Sequence, residues 1–299
     1  MKLAAIGAPG REAPGLVRGG EALSLATFAD GARDVGGLIA AWPAIEGRLT
    51  AHGLDGLARV RLEDARLAAP LLRPGKIIGV GSNFRSADGA APDLPPAPIF
   101  FLKPSSSLIG PGDAIVAPRE ARSVVGEVEI AVIIGKAGRR VGPAAAMDHV
   151  FGYTIANDVT APEILLGESA RNPLFLQAAR GKGFPSFCPL GPWIVTKDEI
   201  DPADMHLQQL VNGEIEAEAS ARLMIHSVAE LVSEASDAFG LEAGDVILCG
   251  SPRPTGRRRA LQAGDILTSR ISGIGELVNP IRSEAAGDPD ARQPGAGGY

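Results

Sequence analysis

The run VEIAVIIG, residues 128–135, with Gly126 and Glu127 before it, constrains this chain more than any other stretch. It reads as a strand, yet two carboxylates, Glu127 and Glu129, stand at its entrance and lead directly into Ile130, Ala131, Val132, Ile133 and Ile134. Residues two apart in an extended strand point to the same side, roughly 6 to 7 Å from each other. Two like charges so placed repel and lose hydration unless a cation or a cluster of donors lies between them. A bound positive charge is therefore expected at this point.

Composition narrows the class. With 299 residues, 45% hydrophobic and 21% charged, the chain is long enough for one large domain or two modest ones and reads as a soluble globular protein. A net charge of -6 argues against sequence-independent nucleic-acid binding, which needs a basic face to release phosphate counterions. Arg257, Arg258 and Arg259 form the one dense basic cluster, readable as a solvated loop or as a rim that attracts an anionic substrate. Cys188 and Cys249 form no CxxC pair and no disulfide framework, so a reducing, cytoplasmic setting is expected. The opening MKLAAIGAPGREAPG reads as neither a secretory signal nor a membrane span, and no later stretch has the roughly 18 continuous apolar residues of one.

The organisation expected is a small N-terminal accessory domain over 1–72, a catalytic domain over 73–283 and a disordered tail over 284–299, where Gly, Ala, Pro and Asp replace any apolar periodicity. In the first segment the helical signal lies around residues 31–53. In the second, strands are expected at 76–80, 98–103, 113–118, 128–135, 153–160, 192–197 and 245–250, and finally in DILTSRI and GELVNPI. Asn212-Gly213 suits a type I′ hairpin turn, and Ser227 with Glu230 spells a capping box for a helix ending near Gly240. This pattern favours a β-rich α+β fold over alternating βαβ units.

A third hard ligand for a cation is available in Asp158, at the end of the strand GYTIANDVT. Three carboxylates suit Mg²⁺, Mn²⁺ or Ca²⁺ better than zinc, and the four histidines show no ligand spacing. Taken alone, a Glu-x-Glu pair is more often one exposed face of a strand than a metal site.

Seven segments in order, KIIGVGSNFRSAD, FFLKPSSSLIGPGD, GEVEIAVIIG, GYTIANDVTAPE, GKGFPSFCPLGPWIVT, LEAGDVILCGSP and ISGIGELVNPI, resemble the fumarylacetoacetate hydrolase family over about 75–282. The resemblance implies a mixed β-sandwich roll and a homodimer. It also implies a divalent cation, commonly Mg²⁺, held by Glu127, Glu129 and Asp158, and an anionic 2-oxo acid or 1,3-dicarbonyl (acylpyruvate-like) substrate. A chelated carbonyl and a stabilised enolate would then serve hydrolytic or lyase cleavage of a C–C bond. By the same motifs Lys103 and Lys182 are the expected catalytic lysines, and Asn83, Arg85, Gln177 and Ser251 are expected to contact substrate.

The chain also departs from the family. The His and Glu that activate water in hydrolytic members are replaced here by Ala87 and Ala90, and Pro162 and Leu165 stand where polar pocket groups are usual. Asp88 is a weak substitute base, while His206 and His226 lie far along the chain. The alternative is therefore an isomerase, hydratase or dehydratase, decarboxylase or cyclase using the same metal site; a non-catalytic oxo-acid binding protein is the remaining reading. Dinucleotide, Walker and serine-hydrolase motifs are absent.

Overall fold

The computed structural model describes residues 1–284, apart from 29–31, 33, 92, 94, 168, 170, 255 and 257. All but the first residue of the expected tail, and Arg257, lie outside that set. Along the chain run β1 (Lys2–Ile6), β2 (Ala13–Arg18), β3 (Glu21–Ser24), α1 (Val35–Ala40), α2 (Trp42–His52), β4 (Arg59–Arg61) and β5 (Leu67–Ala68). There follow β6 (Ile77–Gly81), β7 (Ile99–Lys103), β8 (Leu108–Ile109), β9 (Ile115–Ala117), β10 (Val128–Ile134), α3 (Pro143–Ala146) and β11 (Val150–Asn157). The remainder is α4 (Pro162–Leu166), α5 (Ala178–Lys182), β12 (Cys188–Thr196), β13 (His206–Val211), β14 (Glu214–Ser220), α6 (Val228–Phe239), β15 (Val246–Leu248), β16 (Ile266–Ile271) and β17 (Gly275–Ser283).

Among the described residues these strands make two mixed sheets. The larger has twelve strands, with β12, β11, β10, β15 and β6 side by side at its centre and β7 on its edge; the smaller has five, in the order β14, β13, β16, β17, β9. This is the β-rich α+β architecture expected from the sequence. Local chemistry explains the punctuation. Asn212 and Gly213 both take positive φ, 54° and 83°, in the turn joining β13 to β14. At the start of α6, the Ser227 N–H donates to Glu230 at 2.7 Å while the Ser227 hydroxyl accepts from the Glu230 N–H, completing the capping box.

The N-terminal segment is richer in strands than its sequence indicates. Its strands are short and carry Ala, Gly and Pro (Ala4, Ala5, Pro14, Gly15), residues with little strand preference, so burial and pairing decide their conformation. β1 pairs with β12 through Lys2 opposite Val195 and Leu3 opposite Ile194, which makes the sheet continuous across residues 1–72 and the rest. Leu38, Ile39 and Ile45 of the helices share one buried cluster with Leu3, Leu16 and Leu23, and with Ala131 and Ile133 of β10. On the opposite face α6 contributes Val228, Leu231, Val232 and Ala235 to a second cluster with Ile130 and Val132. β10 is thus covered on both faces, as a run of apolar residues requires.

Close packing is strictest at Gly152 of β11, where an added Cβ would lie 2.1 Å from the carbonyl oxygen of Val195. Because that neighbour is backbone in the adjacent strand, it cannot rotate away. Gly152→Ala should lower the free energy of unfolding by about 2 kcal/mol or more, measured from urea transitions; an unchanged midpoint would contradict the packing described.

Candidate metal centre

One strand register creates the site. β10 and β11 are antiparallel, with Val128 opposite Asn157, and the pairing continues beyond the strands to Val125 opposite Thr160. Glu127 therefore lies opposite Asp158, whose N–H donates to the Glu127 carbonyl at 2.8 Å. Opposed residues in such a pair project to the same face, and Glu129, two residues along, joins them. One carboxylate oxygen from each of Glu127, Glu129 and Asp158 falls within 4.8 Å of the others.

The surroundings of the three differ. Glu129 and Asp158 are buried, while the Glu127 side chain keeps 22% of its exposure and marks the open side. Glu129 accepts a 2.6 Å hydrogen bond from the N–H of Gly250, the residue across from it on the β15 side. Gly250 has φ 88°, and a Cβ there would come within 2.7 Å of the Asn83 Cβ, so the position demands glycine.

Two lysines and an arginine balance the acids. Lys103, with a wholly buried side chain, donates to Asp158 Oδ1 at 2.6 Å, to the Val159 carbonyl at 3.4 Å and to the Lys182 carbonyl. Lys182, at the end of α5, donates to Glu127 Oε2 and to the Thr160 hydroxyl, both at 2.8 Å, and to Asp158 Oδ2. Arg258 places Nε 3.5 Å from Glu127 Oε1 and donates to the Gly126 carbonyl, the Ser251 hydroxyl and the Pro252 carbonyl.

These contacts set the proton affinities. Burial works to raise the Asp158 carboxyl, but Lys103 and Lys182 outweigh it and hold the group below its ordinary value. Burial likewise opposes the charge on Lys182, and Asp158 and Glu127 more than compensate, so its ammonium is held above the ordinary value. Glu129 moves the other way: burial, then the charges of Asp158 and Glu127, raise it well above a normal carboxyl, against Lys182 and the Gly250 N–H. A hard-oxygen donor set that already draws in a lysine ammonium, and still leaves one carboxyl crowded by its neighbours, fits a small divalent cation.

The other expected residues occupy several places in the fold. Asn83 is buried; its amide donates to the carbonyls of His226 and Cys249 at 3.0 and 2.8 Å and accepts from the His226 N–H at 2.8 Å, so its polar atoms hold the Gly250 segment in place. Ser251 reaches the acids through Arg258. The half-buried guanidinium of Arg85 has no hydrogen-bond or ion-pair partner among the described residues, and Gln177 opens α5 with its side-chain amide likewise unpaired. His206 is exposed and faces Glu218 at 3.4 Å on the β13–β14 hairpin. Ala87 and Ala90 lie in an exposed turn closed by hydrogen bonds from Ser86 to the Ala90 carbonyl. Asp88 in that turn accepts from the Ala90 N–H at 3.0 Å, and that bond, followed by the Ser86 hydroxyl, holds its carboxyl below the ordinary value. Its basicity is thereby reduced further.

Thr160 and Gly250 touch the acids without having been singled out in the sequence, and Arg258, named there only as part of a basic loop or rim, meets Glu127. The signal for Thr160 was the strand register, which motif matching ignores; for Arg258 it was the basic run, which fits a solvated loop equally well.

The family model described as fumarylacetoacetate (FAA) hydrolase C-terminal matches residues 76–282. The chain belongs to the fumarylacetoacetate hydrolase family. It is 38% identical over 222 residues to oxaloacetate tautomerase fahd2, mitochondrial, of Xenopus laevis, covering 72% of this chain and 68% of that one. Maleylpyruvate hydrolase from Sphingobium sp. SYK-6, in a crystal structure with manganese(II) and pyruvate, superposes with a TM-score of 0.80 at 29% identity, covering 95% and 100% of the two chains. The 2-hydroxyhepta-2,4-diene-1,7-dioate isomerase of Mycobacterium marinum gives a TM-score of 0.75 at 33% identity, with 96% and 100% covered. The family's architecture is thus present, with a candidate acidic metal site at its centre.

The proton affinity of Glu129 has a consequence for stability. Because its pKa is raised in the folded state, its stabilising contribution is complete below the unfolded value and is lost as pH rises through the folded one. Metal-free protein should melt at progressively lower temperature as pH rises above the ordinary carboxylate range, and the increment given by Mn²⁺ should grow in the same direction. Calorimetry at constant ionic strength checks this; a metal increment that shrinks with pH would contradict it.

Proposed function

We propose that this chain is a divalent-metal-dependent enzyme acting on an anionic 2-oxo acid or 1,3-dicarbonyl compound, and that it interconverts keto, enol or double-bond isomers in preference to hydrolysing a C–C bond. The observation that carries this reading is the acidic trio Glu127, Glu129 and Asp158, with Lys182 at its open side. When bound there, Mg²⁺ or Mn²⁺ supplies Lewis-acid polarisation of a carbonyl.

The residues divide the remaining work. Lys182, with 10% of its side chain exposed, lies at the mouth, where its ammonium favours negative charge building on a substrate oxygen. Lys103, whose side chain is wholly buried, has the part of keeping Asp158 ionised and oriented. Arg258, Ser251 and the unpartnered Arg85 supply a basic rim suited to a substrate carboxylate. A tautomer shift needs only a proton moved at the carbon beside the carbonyl. C–C hydrolysis needs an activated water as well, and the turn at 86–90 offers two alanines and a weakened Asp88 for that task. The similarity to maleylpyruvate hydrolase supports hydrolysis as the second reading.

A homodimer in a reducing, cytoplasmic compartment fits the surface and the cysteines. β7 is an edge strand with Ile99 and Leu102 exposed, a template for pairing with another chain. Both cysteines are free and buried, and burial pushes the Cys188 thiol up to about 12. Among the described residues no helix is long and apolar enough to cross a membrane.

Metal-stripped protein should leave oxaloacetate, an acylpyruvate, fumarylpyruvate and a 2-hydroxy-4-enoate unchanged, and Mn²⁺ or Mg²⁺ should restore turnover of at least one without release of a cleaved fragment. Lys182→Met should lower that rate by about a hundredfold. Cleavage products would favour the hydrolase; oxalate binding without any turnover would favour a binding protein. Light scattering should report twice the 30.8 kDa chain mass, and a single chain mass would refute the dimer.

A further inference from the structure

The acidic trio faces one side of the β10–β11 pair, and the smaller sheet lies beneath the other. Between them is a carboxamide pair that the chemistry above does not use: Gln209 of β13, wholly buried, and Asn157 at the end of β11. Gln209 Oε1 accepts from the Val128 N–H at 2.8 Å, and its Nε2 donates to the Gly126 carbonyl at 2.9 Å. Those two peptide groups flank Glu127 and are the ones a neighbouring parallel strand would engage. The Gln209 side chain thus takes the place of a strand residue where β15 no longer runs beside β10.

Asn157 completes the arrangement. Its Oδ1 accepts from the N–H of Glu127 itself at 2.9 Å, while its Nδ2 donates to Gln209 Oε1 at 3.1 Å and to the Ser269 hydroxyl at 2.9 Å. Both amides have one orientation that satisfies their partners: two N–H groups face Gln209 Oε1, and two oxygens, of Gly126 and Glu216, face its Nε2. Every hydrogen bond in this set ends on the backbone of 126–128 or on a group that fixes the amides. Buried polar networks cost stability unless they are fully satisfied, and this one is satisfied around a single ligand residue.

We propose that Gln209, together with Asn157, is a positioning residue for metal binding: the smaller sheet, through these two amides, sets the backbone that carries Glu127 and thereby the affinity of the acidic trio for its cation. This inference rests on the metal reading above. It assigns to β13 and β16, which contribute none of the three carboxylates, a part in the site.

The test compares Gln209→Leu with wild type in two measurements, Mn²⁺ affinity by electron paramagnetic resonance and amide hydrogen exchange along β10. Mn²⁺ binding should weaken by tenfold or more, and the amides of Glu127 and Val128 should exchange at least tenfold faster while those of Ile130 to Ile133 keep their protection. Unchanged affinity in a folded variant, or equal acceleration along all of β10, would overturn the proposal. If Gln209→Leu does not fold, Ser269→Ala, which removes only one partner of Asn157, is judged by whether the Glu127 amide exchanges faster than its neighbours in β10. Wild-type protein that binds no Mn²⁺ would end the metal reading, and the exchange pattern would still decide whether these amides hold Glu127.

Discussion

Three carboxylates held within a few ångströms of one another, two of them out of water, are the constraint around which this protein is arranged. Two like charges about 4 Å apart repel by roughly 4 kcal/mol at an effective dielectric near 20, and the trio contains three such pairs. No protein of ordinary stability holds that arrangement without positive charge close by. Lys103, Lys182 and Arg258 supply it from three different parts of the chain, and the remaining strain is expressed in Glu129, whose proton is held tightly. A divalent cation would relieve the same strain, which ties metal affinity directly to the charge balance of the fold.

The sheets exist in a form that makes this balance reproducible. An antiparallel register fixes Glu127 against Asp158, Gly250 closes over Glu129 because it has no side chain, and the amides of Asn157 and Gln209 secure the strand from below. These supports are buried and sit on or directly beside the central strands, so the ligand geometry inherits the rigidity of the core. The open side is built otherwise, from Lys182 at the end of the short helix α5 and from the segment after Gly250 that carries Ser251 and Arg258. That division fits a family in which related chains are named as hydrolases, isomerases and tautomerases: the centre is held by sheet, and the groups that differ lie on loops.

The turn that carries Ala87, Asp88 and Ala90 is poorly equipped to activate water. Ala87 and Ala90 leave the exposed turn without a base, and Asp88 is bound to its own turn. Arg258 instead brings a guanidinium from the Arg-rich segment to the open face of Glu127. Chemistry that relies on binding and polarising an anion is better served by such a rim than chemistry that must also deliver hydroxide.

What the sequence determined by itself was chiefly local or covalent in origin. The buried strand and its two leading carboxylates, the Asn212-Gly213 turn, the Ser227 capping box and the third acid at Asp158 are all readable because each depends on residues near in sequence or on a recurring order of motifs. The N-terminal strands were not readable, since Ala4, Pro14 and Gly15 become strand through pairing with β12 and its neighbours rather than through their own preference. Equally hidden were the separate tasks of the two lysines, the approach of Arg258 to Glu127 and the carboxamides of Asn157 and Gln209 beneath the site. Those contacts join residues 22 to 131 positions apart, and the packing of sheet, helix α5 and the Arg-rich segment brings them together. Residue types set which charges the chain must reconcile; only the tertiary structure decided which cation meets which acid, because electrostatic pairing depends on distance in space and not on order along the chain.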